Sequence, residues 1–195
     1  MRILISILVL IFSFQSLSKA DDIRDFEIEG ISIGDSALNY FNEEELISTK
    51  IYYWSNKKFA SSSGWLKNKS NYEGWQIFYK DKDKKFIIHY ISGLSKIKNL
   101  EQCNKKKNEV VKIIKKSVPN AKFIDLGKVS HPGDKTGKSL AYKVKFNFKD
   151  GSNIMVTCND YTDTYINKMN NTISDNFNVA ISSSEFINFL NKDAY

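Results

Sequence analysis

The stretch from Tyr142 to Cys158 constrains the fold of this chain more than any other. Tyr142, Val144, Phe146 and Phe148 alternate with Lys143, Lys145, Asn147 and Lys149. Asp150-Gly151 follows, and Ile154, Val156 and Cys158 then alternate on the way back. A period of two with one apolar set is the pattern of a strand with one buried face. Asp-Gly is a favoured hairpin turn. The pattern predicts an antiparallel hairpin whose apolar face ends in a cysteine.

The second constraint is helical. Leu100, Cys103, Val110, Ile114 and Val118 share one face of a helix predicted over 100–118. Asn99 is its N-cap, Gln102 sits at the capping-box position, and Pro119 stops it. Lys105, Lys106, Lys112 and Lys116 fall opposite, while Lys107 lies on the apolar side and must snorkel. A helix packed on the hairpin brings Cys103 and Cys158 together. In an oxidising compartment such a pair reads as one disulfide, closing a loop of about 55 residues and contributing roughly 4 kcal/mol. Two separate buried thiols are the alternative. Neither cysteine has a neighbour at zinc-ligand spacing.

Other segments add strands and short helices. Phe26 to Gly30 alternates, and its parity changes at Gly30, which predicts a bulge there. Ile51 to Trp54, Trp75 to Tyr79, Phe86 to Ile91, Lys122 to Val129 and Phe177 to Ile181 read as strands. Residues 60–74 read as a loop. Ser182 to Glu185 matches a capping box for a short helix carrying Phe186, Phe189 and Leu190. The expected class is α+β: a mostly antiparallel sheet with a main helix and shorter helices packed on one face.

The N-terminus bears on compartment. Arg2 precedes a short apolar run from Ile3 to Phe14, and Ser18-Lys19-Ala20 supplies small residues where a signal peptidase cuts. The run is too short to span a bilayer, which takes about 20 residues. The expectation is a signal peptide over 1–20, cleavage after Ala20, and a single periplasmic domain over 21–195. That length suffices for a core. Charge is unevenly laid out: net −7 over residues 21–50, +16 over 51–149 and −4 over 150–195. The bases are lysines, with Arg24 the lone arginine after the leader. Arginine is preferred where phosphates and base edges are gripped bidentately, so a nucleic-acid partner is not expected. Either the charges mix on folding, or the lysines gather on one face and meet an anionic partner.

Several motifs resemble active sites. Gly30-Ile-Ser32-Ile-Gly34 matches a nucleophile elbow. Its Ser32 needs a histidine base, and only His89 and His131 exist. The flanking chain lacks the repeated strand–helix alternation of such hydrolases. Gly133 and Gly137 precede Lys138-Ser139 with one residue too few for a phosphate-binding loop, and strand alternation follows where a helix is required. Neither histidine has a metal-ligand neighbour at the usual spacing. No catalytic residue, metal or cofactor is therefore assigned. Among the aromatics, Trp65 and Tyr72 stand apart because they lie in the polar segment read as a loop, where an exposed ring can stack on a ligand.

The opening Gly30-Ile-Ser-Ile-Gly34-Asp-Ser-Ala-Leu38-Asn-Tyr-Phe41, with the lysine-rich helix carrying Cys103, resembles small exported proteins of AT-rich, streamlined marine alphaproteobacteria. The resemblance implies a periplasmic home and brings no known activity. The same opening is similar to the helix entry of small outer-membrane assembly lipoproteins, from which this chain departs by lacking a lipobox cysteine. The functional expectation is a monomeric, non-catalytic binding protein, not membrane-spanning, for an envelope protein, an anionic surface or a small ligand. A serine hydrolase using Ser32 and a purely structural envelope protein are the alternatives.

Overall fold

A computed structural model describes residues 22–66, 71–170 and 173–194, so the leader expected over 1–20 lies outside the described residues. The chain opens with a small antiparallel pair, β1 (Glu27–Ile28) and β2 (Ile31–Ser32). Glu29 and Gly30 both take positive φ, 54° and 78°, between them. The parity change at Gly30 is thus a tight turn, not the bulge expected. Helix α1 (Glu43–Ser48) follows, capped by the Asn42 side chain, with three acids in the first turn where the helix dipole favours them.

The body is one seven-stranded sheet. In chain order its strands are β3 (Phe59–Trp65), β4 (Gly74–Lys80), β5 (Tyr90–Lys96), β6 (Lys122–Ser130), β7 (Leu140–Asn147), β8 (Asn153–Asp160) and β9 (Asn176–Ser182). The spatial order is β3-β4-β5-β9-β8-β7-β6, and every neighbouring pair is antiparallel. Two three-stranded meanders are thus joined by β9 in the middle. Helix α2 (Leu100–Ser117) links the meanders, α3 (Asp163–Lys168) lies between β8 and β9, and α4 (Ser184–Lys192) closes the chain. The α+β class and single domain are those the sequence predicts.

Three local readings change. The segment read as a loop begins with strand β3, whose Ser61 and Ser62 are fully buried. Ile51 forms only an isolated bridge to Ser61, not a strand with its neighbours. The strand expected over 86–91 starts at Tyr90 and runs on to Lys96.

Strand alternation divides the sheet into two faces. On one face Ile77, Ile91, Ile181, Ile154 and Phe146 line up across five strands by register. They are buried in one core with Cys103, Ile114 and Val118 at α2. The Cys103–Cys158 disulfide joins α2 to β8, with a Cα–Cα separation of 5.9 Å. The other face carries Phe59, Phe78 and Tyr90, which pack on Phe186 and Phe189 of α4. Phe78 and Phe186 ring centroids are 5.0 Å apart, and Trp54 meets Phe189 edge-on at 5.0 Å. Helix α4 therefore covers the face opposite α2.

Candidate functional site

The residues singled out from sequence do not converge. Gly74 and Gly93 occupy alternate faces, since Gly74 pairs with Leu94 and Trp75 with Gly93. The Trp65 ring lies over Gly74, and the Tyr72 ring lies over Gly93, where a Cβ would sit 2.5 Å from it. Trp65 is 59 % exposed, with the Lys96 ammonium 5.0 Å from its centroid. Tyr72 packs against the core under α2, and burial pushes its hydroxyl up to about 12. One ring faces solvent and the other fills a gap on the far side of the sheet.

Ser32 is buried and donates its hydroxyl to the Phe26 carbonyl at 3.1 Å. Both histidines are engaged elsewhere. His89 Nδ1 lies 3.3 Å from Ser183 Oγ and 3.6 Å from Glu185. A serine–histidine–acid relay needs serine and acid on opposite ring nitrogens, and here both meet the same one. Ser183 Oγ also accepts from Phe186 N, which makes it the cap of α4. His131 Nδ1 accepts from Gly133 N at 3.2 Å, and its Nε2 faces Tyr161 at 3.4 Å. The loop that resembled a phosphate cradle is a β6–β7 hairpin connection. Asp134 shapes it by accepting from the amides of Thr136 and Ser139, and these bonds hold its carboxyl far below the usual range. An open polar depression beside it is lined by Lys138, Asp160 and Tyr161. Among the described residues no three His, Cys, Asp or Glu side chains converge as a metal site.

The arrangement with chemical consequence is the flank formed by α2 and β6. Residues 105–149 contain thirteen lysines and three acids. Among the described residues, the carboxylate ion pairs engage Arg24, Lys50, Lys58, Lys80 and His89, and no lysine of 105–149 is in one. Lys115 Nζ lies 3.6 Å over the Phe123 ring of β6, and Lys107 Nζ lies 5.9 Å over Tyr142 of β7. The snorkelling lysine expected in the helix thus sits over an aromatic face. Burial lowers the pKa of Lys107, while nearby Asp125 opposes the shift. On the same two elements large apolar side chains are exposed: Ile113 on α2, Phe123 and Leu126 on β6.

Strand β6 is the last strand of the sheet, and seven of its nine residues are exposed, so among the described residues nothing covers its outer edge. The β3 edge differs. Ile51 exchanges two backbone bonds of 2.9 Å with Ser61, and Ser62 Oγ donates to the Leu46 carbonyl of α1. Two signals in the sequence mark the open edge. Lys122 to Lys128 has apolar residues on both parities instead of one, and Ile113 lies off the apolar face of α2. Comparison with protein-family models, curated proteins and solved structures finds no match to this chain.

Proposed function

We propose that this chain is an exported periplasmic protein that acts by binding, without catalysis, and that its contact surface is the basic flank of α2 and β6. The unpaired lysines of 105–149 carry this reading. Cations left without carboxylates beside exposed apolar side chains suit an anionic partner. The disulfide is compatible with an oxidising compartment. Among the described residues no helix is long and apolar enough to cross a membrane. The resemblance to exported proteins of marine alphaproteobacteria belongs to the same reading, as does a monomeric state.

The test uses two charge-matched variants of the mature chain. One replaces Lys112, Lys115, Lys116, Lys122 and Lys128 by Gln. The other replaces five lysines of the first meander and its connections, Lys57, Lys82, Lys84, Lys85 and Lys96. Retention of envelope components should fall in the first and persist in the second, and should weaken between low and physiological salt. Equal loss in both removes the flank as a specific surface. N-terminal sequencing of native material should begin at Asp21, and an intact Met1 overturns export.

A further inference from the structure

We infer that the basic flank takes its partner as an added β-strand: an acidic, extended peptide pairs with the open edge of β6 and lies beside α2. This deepens the proposed function and rests on it. Backbone N–H and C=O groups on an uncovered edge are a template for another strand, and β-augmentation is an established mode of peptide recognition. At that edge Lys115 lies over the Phe123 ring, and one strand further in Lys107 lies over Tyr142.

Charge selects the occupant. Strand side chains alternate between faces. On the α2 side the added strand meets Lys107, Lys115 and Lys128, and on the other side Lys122 and Lys145. An acid at either parity therefore finds a cation. The flank's own Asp125 is occupied, since its Oδ1 accepts from Gly127 N at 2.8 Å. A second copy is a poor occupant. A second copy brings the same lysine-rich edge, so β6–β6 pairing gathers like charges along one seam, which destabilises a sheet. The bulge between Asp125 and Gly127 further interrupts self-pairing. A lipid surface offers negative charge but no peptide donors for the β6 carbonyls.

The probe is a nine-residue peptide of alternating Glu and Thr, matched to β6. Its control has the same side chains with every second backbone nitrogen methylated along the pairing edge. The mature, disulfide-bonded protein should bind the first about tenfold or more tighter than the second. Bound peptide should also slow hydrogen exchange at amides of β6 but not of β3. Lys115→Gln with Lys128→Gln should weaken binding without lowering Tm. Equal affinity for both peptides overturns strand addition, while loss of both in the double variant leaves the basic flank standing. Binding to phosphatidylglycerol vesicles but to neither peptide overturns the peptide occupant. Absence of all binding, with both charge-matched variants retained equally by envelope extract, overturns the flank as well.

Discussion

The two meanders of the sheet differ in their lysines: three on the first side are tied into carboxylate ion pairs beside others that are not, whereas among the described residues none of 105–149 is so tied. In the β3–β4–β5 half, Lys50, Lys58 and Lys80 meet Asp81, Asp193 and Glu185 at 2.5, 2.9 and 2.8 Å. Its edge is bridged by Ile51, and α4 packs an aromatic cluster on its outer face. In the β6–β7–β8 half, among the described residues, the lysines have no carboxylate partners and nothing covers the edge, and α2 is stapled down by a disulfide. The difference teaches where each half gets its stability. One half is held by packing and local charge pairing. The other keeps its cations available and relies on a covalent tie for its covering helix. Four measurements test that division.

The largest effect belongs to the staple. Replacing Cys103 and Cys158 together by Ala should cost about 4 kcal/mol, because the unfolded chain regains the freedom of a closed loop of about 55 residues. Urea unfolding measures this. Hydrogen exchange should quicken in α2 before it quickens in β4 and β5. Uniform loss of protection across both halves breaks the comparison.

The next effect lies on the opposite side. Gly93→Ala places a Cβ against the Tyr72 ring, and overpacking of that kind costs about 1–3 kcal/mol. In a Tyr72→Ala background the same change should cost far less, a coupling read by a double-mutant cycle. Additive losses would remove Tyr72 from its assigned place over Gly93.

Charge deletion follows at a smaller scale. Lys50→Gln removes a pair that is about three-quarters shielded from solvent and also hydrogen-bonds Asp81, so a loss of up to about 1 kcal/mol is expected. Lys112→Gln and Lys116→Gln touch no acid, and their effect should stay within about 0.5 kcal/mol. Equal losses at all three positions would mean that the flank cations are paired in solution.

Much of the fold is legible in the sequence, and the reasons are local. The 142–158 hairpin and the helix from Leu100 keep clear periods, and the pairing of Cys103 with Cys158 follows from the apolar faces those periods define. Strand β3 is not legible because Ala60, Ser61, Ser62 and Gly64 have the composition of a loop. Their place in the sheet follows from distant partners: buried Ser62 reaches the Leu46 carbonyl and Tyr79, and the Trp75 ring lies over half-buried Gly64. The candidate site is legible only as a charge total. Whether a lysine is paired depends on which strand lies beside it, and Trp65 and Tyr72, close in sequence, end on opposite faces, over Gly74 and Gly93. The bare edge of β6 follows from strand order, which periodicity does not encode.

The smallest effect at neutral pH comes from the two histidines, one in each half. Burial lowers both pKa values below the ordinary 6.5, so both rings are neutral in the fold near pH 7. A depressed folded pKa means that the unfolded chain binds more protons as pH falls through about 6.5. Stability should therefore be flat above that point and decline below it, until the folded pKa values are passed. His89→Gln and His131→Gln should each flatten part of the decline in urea midpoint between about pH 7 and pH 5. Each histidine has charged neighbours of both signs, Lys80 and Asp83 also acting on His89 and Asp134 on His131, but the largest charge effect differs in sign. Glu185 favours the charged form of His89 and works against burial, whereas Lys143 disfavours the charged form of His131 and adds to burial. Followed by NMR titration, Glu185→Gln should lower the His89 pKa further, and Lys143→Gln should raise that of His131. Movement of both in one direction would show that the two halves do not differ in the sign of their local field, and the contrast between paired and unpaired lysines would lose its electrostatic consequence.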